Sequence, residues 1–295
     1  MNKLLTGALE RQTVQAACAW ALAELPGTIE LLRLAHPPAQ EAFVAFAQTL
    51  QSTDPHAPTR CAGWTVHELT AHLAAGSAEI ADLIELELSG APPRPTRDFE
   101  QREGPYRALA PNKLRRQFFR QALRATIAVQ RLSQAGPNRR VAFTGALLDA
   151  PTLLLHSESE LILHRWDITG NDDISISALS DPRFSAHAAT TVAAMRTNVF
   201  PPRAGEHQTV ILRSSNATDI AVTGGSVTTI EPAPPDATYA LVECHPAART
   251  LLLWGRCPQP GLPEPVGEPE TVATVTAMLR PDSLRGYGSP VKDSQ

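Results

Sequence analysis

A chain of 295 residues, 43% hydrophobic and 19% charged, is long enough for two domains and can bury a core. Its formal charge of −4 and pI of about 6.1 offer no basic face to a nucleic acid. No stretch approaches the ~18 apolar residues of a membrane span, the start MNKLLTGALERQ lacks the apolar core of a secretion signal, and four cysteines without a C-x-x-C pair make no disulfide scaffold.

Those exclusions predict a cytoplasmic monomer that handles small molecules, with neither nucleic acid nor membrane as partner. Residues 1–38 read as a helical extension, with Ala16, Ala19, Leu22 and Leu25 at apolar positions before Pro26-Gly27. A short helix over Thr28 to Ala35 is expected to stop at Pro37-Pro38. Phe43, Phe46, Ala47 and Leu50 predict a helix over 39–51, and Ser52–Gly63 a polar loop.

Thr65 and Glu68 form a T-x-x-E capping box, with Trp64 and Leu69 placed as a hydrophobic staple. The helix they open should run to Ser89 and end at Gly90. Residues 91–111 read as a Pro/Arg-rich loop, long enough for a lid or binding loop. A helix from Asn112 to Gln134 should end at Gly136-Pro137, and another should run from Asp149 as N-cap to Ile168, closed by Gly170. After a loop over Asn171–Ser180, Asp181 should open a helix to about Asn198, and Pro201-Pro202 with Gly205 reads as a linker. The texture then turns β-like at Thr209–Leu212, Ile220–Val222, Val227–Ile230 and Tyr239–Glu243, with helices expected over Pro246–Trp254 and Pro269–Arg280. The fold class is α+β in two domains: an extension (1–38), an all-α bundle (39–200) and a small α+β domain (207–295).

The segment 151–168, PTLLLHSESELILHRWDI, is apolar nearly all round and should be buried, yet His156, Glu160, His164 and Asp167 share one stripe. A buried carboxylate is costly unless paired or metal-bound. Residues four apart lie ~6 Å along a helix, whereas His156 and His164 are ~12 Å apart, so Glu160 and His164 form the natural pair. A third ligand should come from a facing helix, and His72, beside Leu69, Leu73 and Gly76, is the candidate; His67 is rotated away from it. A satisfied core histidine and a surface ion pair explain His72 and the E-x-x-x-H pair equally well at this stage. Asp167 could support a ligand imidazole or pair with Arg165.

The segments TRCAGWTVHELTAHLAAG, HSESELILHRWDITG and HPAARTLLLWGRC resemble the mycothiol-dependent maleylpyruvate isomerase family, part of the DinB-like bundle superfamily, over roughly residues 39–280. The resemblance implies a DinB-like four-helix bundle joined to a sterol-carrier-protein-like domain. It makes His72, Glu160 and His164 ligands of zinc or another divalent metal, and Arg256 an active-site residue reaching across from the second domain. It also implies mycothiol as thiol cosubstrate and a small-molecule electrophile as substrate. Three N/O ligands leave zinc an open position, where a thiol can be held as the nucleophilic thiolate. Thiol attack followed by release gives cis–trans isomerisation, and attack without release gives S-transfer. A metal-free ligand-binding protein and a thiol-independent zinc hydrolase are the alternatives.

Overall fold

The computed structural model describes residues 37–61, 63–192, 209–215, 217–223, 226–229, 239–256, 262 and 265–279. The expected N-terminal extension up to residue 36, the end of the helix over 193–198 and the linker at 201–205 lie outside these. The described residues divide into two compact units. The first takes residues 37–59, Trp64–Phe143 and Leu147–Ile168. The second takes the described residues of Arg60–Gly63 and Thr144–Ala146 and those from Thr169 onward.

The first unit is built on helices α1 (Pro37–Ser52), α2 (Val66–Ser89), α3 (Phe99–Arg107), α4 (Pro111–Gln134) and α5 (Ala150–Thr169). Thr65 caps α2 with both halves of the capping box in place, and Gly90 ends the helix in the left-handed region at φ 69°. Helix α1 starts two residues earlier than expected, with prolines in its first turn, where a missing N–H costs nothing. Its Phe43 and Phe46 meet Phe118 and Phe119 of α4 at ring separations of 5.4–6.0 Å. Leu69, Leu73 and Leu114 complete that cluster. Phe46 and Leu69 are fully buried, and burial of such a side chain contributes about 1.5–3 kcal/mol.

Two expectations for this stretch need correction. Residues 91–111 are not one loop: Asp98 accepts from the Gln101 N–H and opens α3 despite Gly104-Pro105. Between α4 and α5, where no strands were expected, β1 (Val141–Phe143) and β2 (Ala146–Leu148) form a hairpin. Thr144 and Gly145 turn it with φ of 48° and 80°, the positive pair that two-residue hairpins need.

In the second unit, α6 (Asp173–Leu179) replaces the loop expected over Asn171–Ser180, because Asp172 accepts from the Ser175 N–H as an N-cap. Helix α7 (Pro182–His187) follows, with a π-helical turn over Ala188–Val192. Strands β3 (Thr209–Ser214), β4 (Ala217–Thr223), β5 (Ser226–Thr229) and β6 (Ala240–Glu243) form one sheet in the order β5-β4-β3-β6, with β6 parallel to β3 and the other pairs antiparallel. Val210, Ile211 and Leu212 are all buried, so both faces of β3 are covered. Helix α8 (Pro246–Leu253) packs on β3, α6 and α7, and α9 (Pro269–Leu279) on β6. Buried Arg249 ties α8 to the Thr218 carbonyl and the Ser185 hydroxyl. The molecule is thus α+β, a helical bundle followed by a small sheet with its helices. No helix among the described residues is long and apolar enough to cross a membrane.

Candidate metal centre

Helix α2 turns His72 into the bundle, and α5 brings up Glu160, His164 and Asp167 on successive turns. Donor atoms of His72, Glu160 and His164 lie within 4.8 Å of one another. His72 Nε2 stands 3.4 Å from Glu160 Oε2, and His164 Nε2 stands 3.3 Å from the same oxygen. The two rings meet edge to face at 5.2 Å.

Each imidazole is held from behind. His164 Nδ1 bonds Asp167 Oδ2 at 2.8 Å, and His72 Nδ1 bonds Glu103 Oε1 at 2.7 Å; both carboxylates have 0% exposed side chains. Glu103 also accepts from Arg107. Burial pushes the Glu103 carboxyl up, but its bond to His72 and the charges of His72, Arg107 and Arg102 outweigh that and hold it below the usual range. Glu160 behaves alike: burial raises its pKa, and His164 with His72 brings it well below the ordinary value.

The ring positions follow from packing. Trp64 lies 5.2 Å from the His72 ring on one side, and Phe99 stacks on it at 5.9 Å. Arg102 sits over Phe99 at 4.4 Å, and its Nε and Nη1 are buried without a hydrogen-bond partner. Burial pushes its pKa down, while Glu103, Glu79 and Glu160 pull it up. The segment 91–98 is anchored on α2 by fully buried Glu79, which accepts from the Arg94 and Arg97 side chains and the Arg97 backbone. Sequence reasoning missed Glu103, Phe99 and Arg102; the one readable signal was Asp98 three residues before Gln101.

The remaining candidates lie elsewhere. His156 is buried against Phe143, with burial lowering its pKa. His67 turns to the Arg107 carbonyl at 3.0 Å. In the second unit, the Arg256 guanidinium donates to the Trp254 carbonyl and to Cys61 Sγ.

The donor set suits a cation. With each Nδ1 bonded to a carboxylate, both Nε2 atoms turn toward one Glu160 oxygen, a donor set of the kind that holds a divalent metal. Two ligand atoms ~2.0–2.1 Å from a tetrahedral ion stand ~3.3–3.4 Å apart, the separation of each Nε2 from the Glu160 oxygen.

Residues 36–169 match the family model described as Mycothiol maleylpyruvate isomerase N-terminal domain. Two similar solved structures are crystal structures of the mycothiol-dependent maleylpyruvate isomerase, one of them a histidine-to-alanine mutant. Their TM-scores are 0.53 for the mutant and 0.51 for the other; each is 18% identical and covers 80% of this chain and 95% of its own. At that identity the likeness establishes the fold. No curated protein matches the chain.

Proposed function

Residues 36–169 belong to the mycothiol maleylpyruvate isomerase N-terminal domain family, and on that premise we propose that the chain is a metal-dependent enzyme using mycothiol against an electrophilic small molecule. His72, Glu160 and His164 would hold the ion, zinc being the expected metal. The observation that carries this reading is the convergence of two imidazole Nε2 atoms on one Glu160 oxygen at 3.4 and 3.3 Å, with each Nδ1 committed to a buried carboxylate. When bound, such an ion offers an open coordination position and keeps a thiol ionised at neutral pH.

The protein's own groups do the rest. Glu103 and Asp167 fix the tautomer and aim of the two rings, as carboxylates behind metal-binding histidines do. None of the chain's cysteines is needed as nucleophile, because the thiol is brought in. Arg256 keeps the role that the resemblance gives it, a planar donor to a carboxylate or enolate oxygen. Addition of the thiolate sulfur to an activated double bond, rotation about the resulting single bond and expulsion of the same thiolate gives cis–trans isomerisation with no net change in atoms. Addition followed by protonation of the adjacent carbon gives S-transfer.

The test is metal analysis together with turnover. Purified protein should carry about one zinc per chain, lost in His72→Ala and His164→Ala and weakened less by Glu160→Gln. Turnover of an activated alkene should need mycothiol and survive replacement of all four cysteines. Full zinc content in the His72/His164 double variant would overturn the ligand assignment, and turnover without any thiol would favour hydrolysis.

A further inference from the structure

Helices α1, α2, α4 and α5 border a half-open cavity of about 100 Å³, walled mainly by Phe43, Leu73, Ile80, Phe118, Leu154 and Leu161. Glu160 lines it too, so the space opens beside the carboxylate on which the two imidazoles converge. Protein interiors keep few spaces larger than a water molecule, and a mostly apolar wall of this kind accepts apolar ligands.

Gly76 sharpens the point. It lies inside the 24-residue helix α2 and lines the cavity. A glycine there weakens a helix relative to alanine, and the usual reason for one, close approach of another element, is absent. A Cβ built on Gly76 meets nothing within 4 Å. The residue leaves space open where α2 would otherwise fill it. Leu154 and Leu161 of α5, which also line this space, are only partly buried, and Leu161 packs on the phenylalanine cluster as well.

We propose that the cavity is the subsite for an uncharged hydrocarbon arm of the electrophilic substrate, an inference that rests on the function proposed above. The ionisable side chains on its wall are His156, Glu158 and Glu160; two are acids, so the arm carries no carboxylate. A cavity of ~150 Å³ accommodates benzene, and this smaller one suits an arm of about four or five carbons. The substrate class is therefore an α,β-unsaturated carbonyl compound with a short alkyl arm, distinct from a small electrophile that is polar throughout.

Binding is tested first on metal-free protein, by following leucine and isoleucine methyl resonances during titration with cyclopentane, a five-carbon probe. Saturable shifts at Leu73, Ile80, Leu154 and Leu161 are expected, and Gly76→Leu should abolish them. If Gly76→Leu does not fold, Gly76→Ala serves, whose added methyl meets no neighbour and should weaken cyclopentane binding. Absence of saturable shifts in the unmodified protein overturns the subsite. The loaded enzyme is then given unsaturated ketones of rising alkyl length with mycothiol. KM should fall by up to about fourfold per CH2, the transfer value of a buried methylene, and level off after four or five carbons. A flat series with turnover present overturns the substrate class but leaves the catalytic reading standing. No turnover with any member, despite cyclopentane binding, removes the catalytic reading and with it the assignment of the arm.

Discussion

Replacing Glu103 by glutamine probes the centre at a residue that touches no ion itself. The carboxylate now accepts from both His72 Nδ1 and Arg107, with its own side chain fully buried. An amide has one carbonyl oxygen and one NH2 group. It can serve His72 or Arg107, and the NH2 then faces the donor of the other. His72 loses its fixed aim half the time or leaves a buried donor unsatisfied, which costs about 1–3 kcal/mol. Loss of such a partner behind a ligand histidine typically weakens metal binding 10–100-fold, about 1.4–2.7 kcal/mol, and the donor conflict places Glu103→Gln near the upper end. Competition against a chromophoric chelator gives the zinc Kd, and urea unfolding of the metal-free protein gives stability separately. Adding Arg107→Ala removes the conflict and should restore part of the affinity, a coupling that the double-mutant cycle measures. A Kd within about twofold of the unmodified protein, in a natively folded Glu103→Gln, would refute the reasoning, since no partner of this kind is so cheap.

Acid should act partly through Glu79. Burial raises its pKa, but bonds from Arg94 and from the backbone and side chain of Arg97 bring it below the ordinary carboxylate value. Its contribution to stability is then complete above about pH 4.5 and lost as pH falls through the folded-state value; urea midpoints should decline over that window, and Glu79→Gln should flatten the decline. Burial pushes the Cys244 thiol up to about 12, so iodoacetamide in mildly alkaline buffer should leave it unlabelled until the protein unfolds; labelling at the rate of a free thiol would contradict its burial. Arg256→Lys keeps the charge but loses the planar fork. Zinc content should stay normal while thiol-dependent turnover drops ~100–1,000-fold, and a near-normal rate would remove Arg256 from the reaction.

What could be read from the sequence depended on where the stabilising interaction lies. Both ends of α2 are local chemistry, Thr65 with Glu68 and Gly90, so the helix was readable to the residue. The stripe on α5 stood out because Glu160 and His164 interrupt leucines and isoleucines in a helix that had to be buried. Helix α3 was not readable: Gly104 and Pro105 speak against a helix, and its anchors, His72 on Glu103 and Phe99 on the His72 ring, join residues some thirty positions apart. The missed α6 differs, since Asp172 and Ser175 are a local N-cap signal that the polar context obscured. The three-residue strands β1 and β2 are too short for alternation to register.

The anchorage of residues 91–98 has a kinetic consequence. This stretch belongs to no helix or sheet and hangs from Glu79 and Asp82 through Arg94 and Arg97. Helix α3 hangs from it in turn. Segments held by a few side-chain bonds open as units well below the free energy of global unfolding. When 91–107 lifts, His72 loses Glu103 and Phe99 together, and Tyr106 leaves the edge of the phenylalanine cluster between α1 and α4. An ion that binds only the closed arrangement suppresses this opening in proportion to its affinity, and it departs more readily during each excursion. The lifetime of the bound ion is thereby set by a carboxylate about two helical turns along α2 from the nearest proposed ligand, and amide exchange over 91–107 would keep time with metal release.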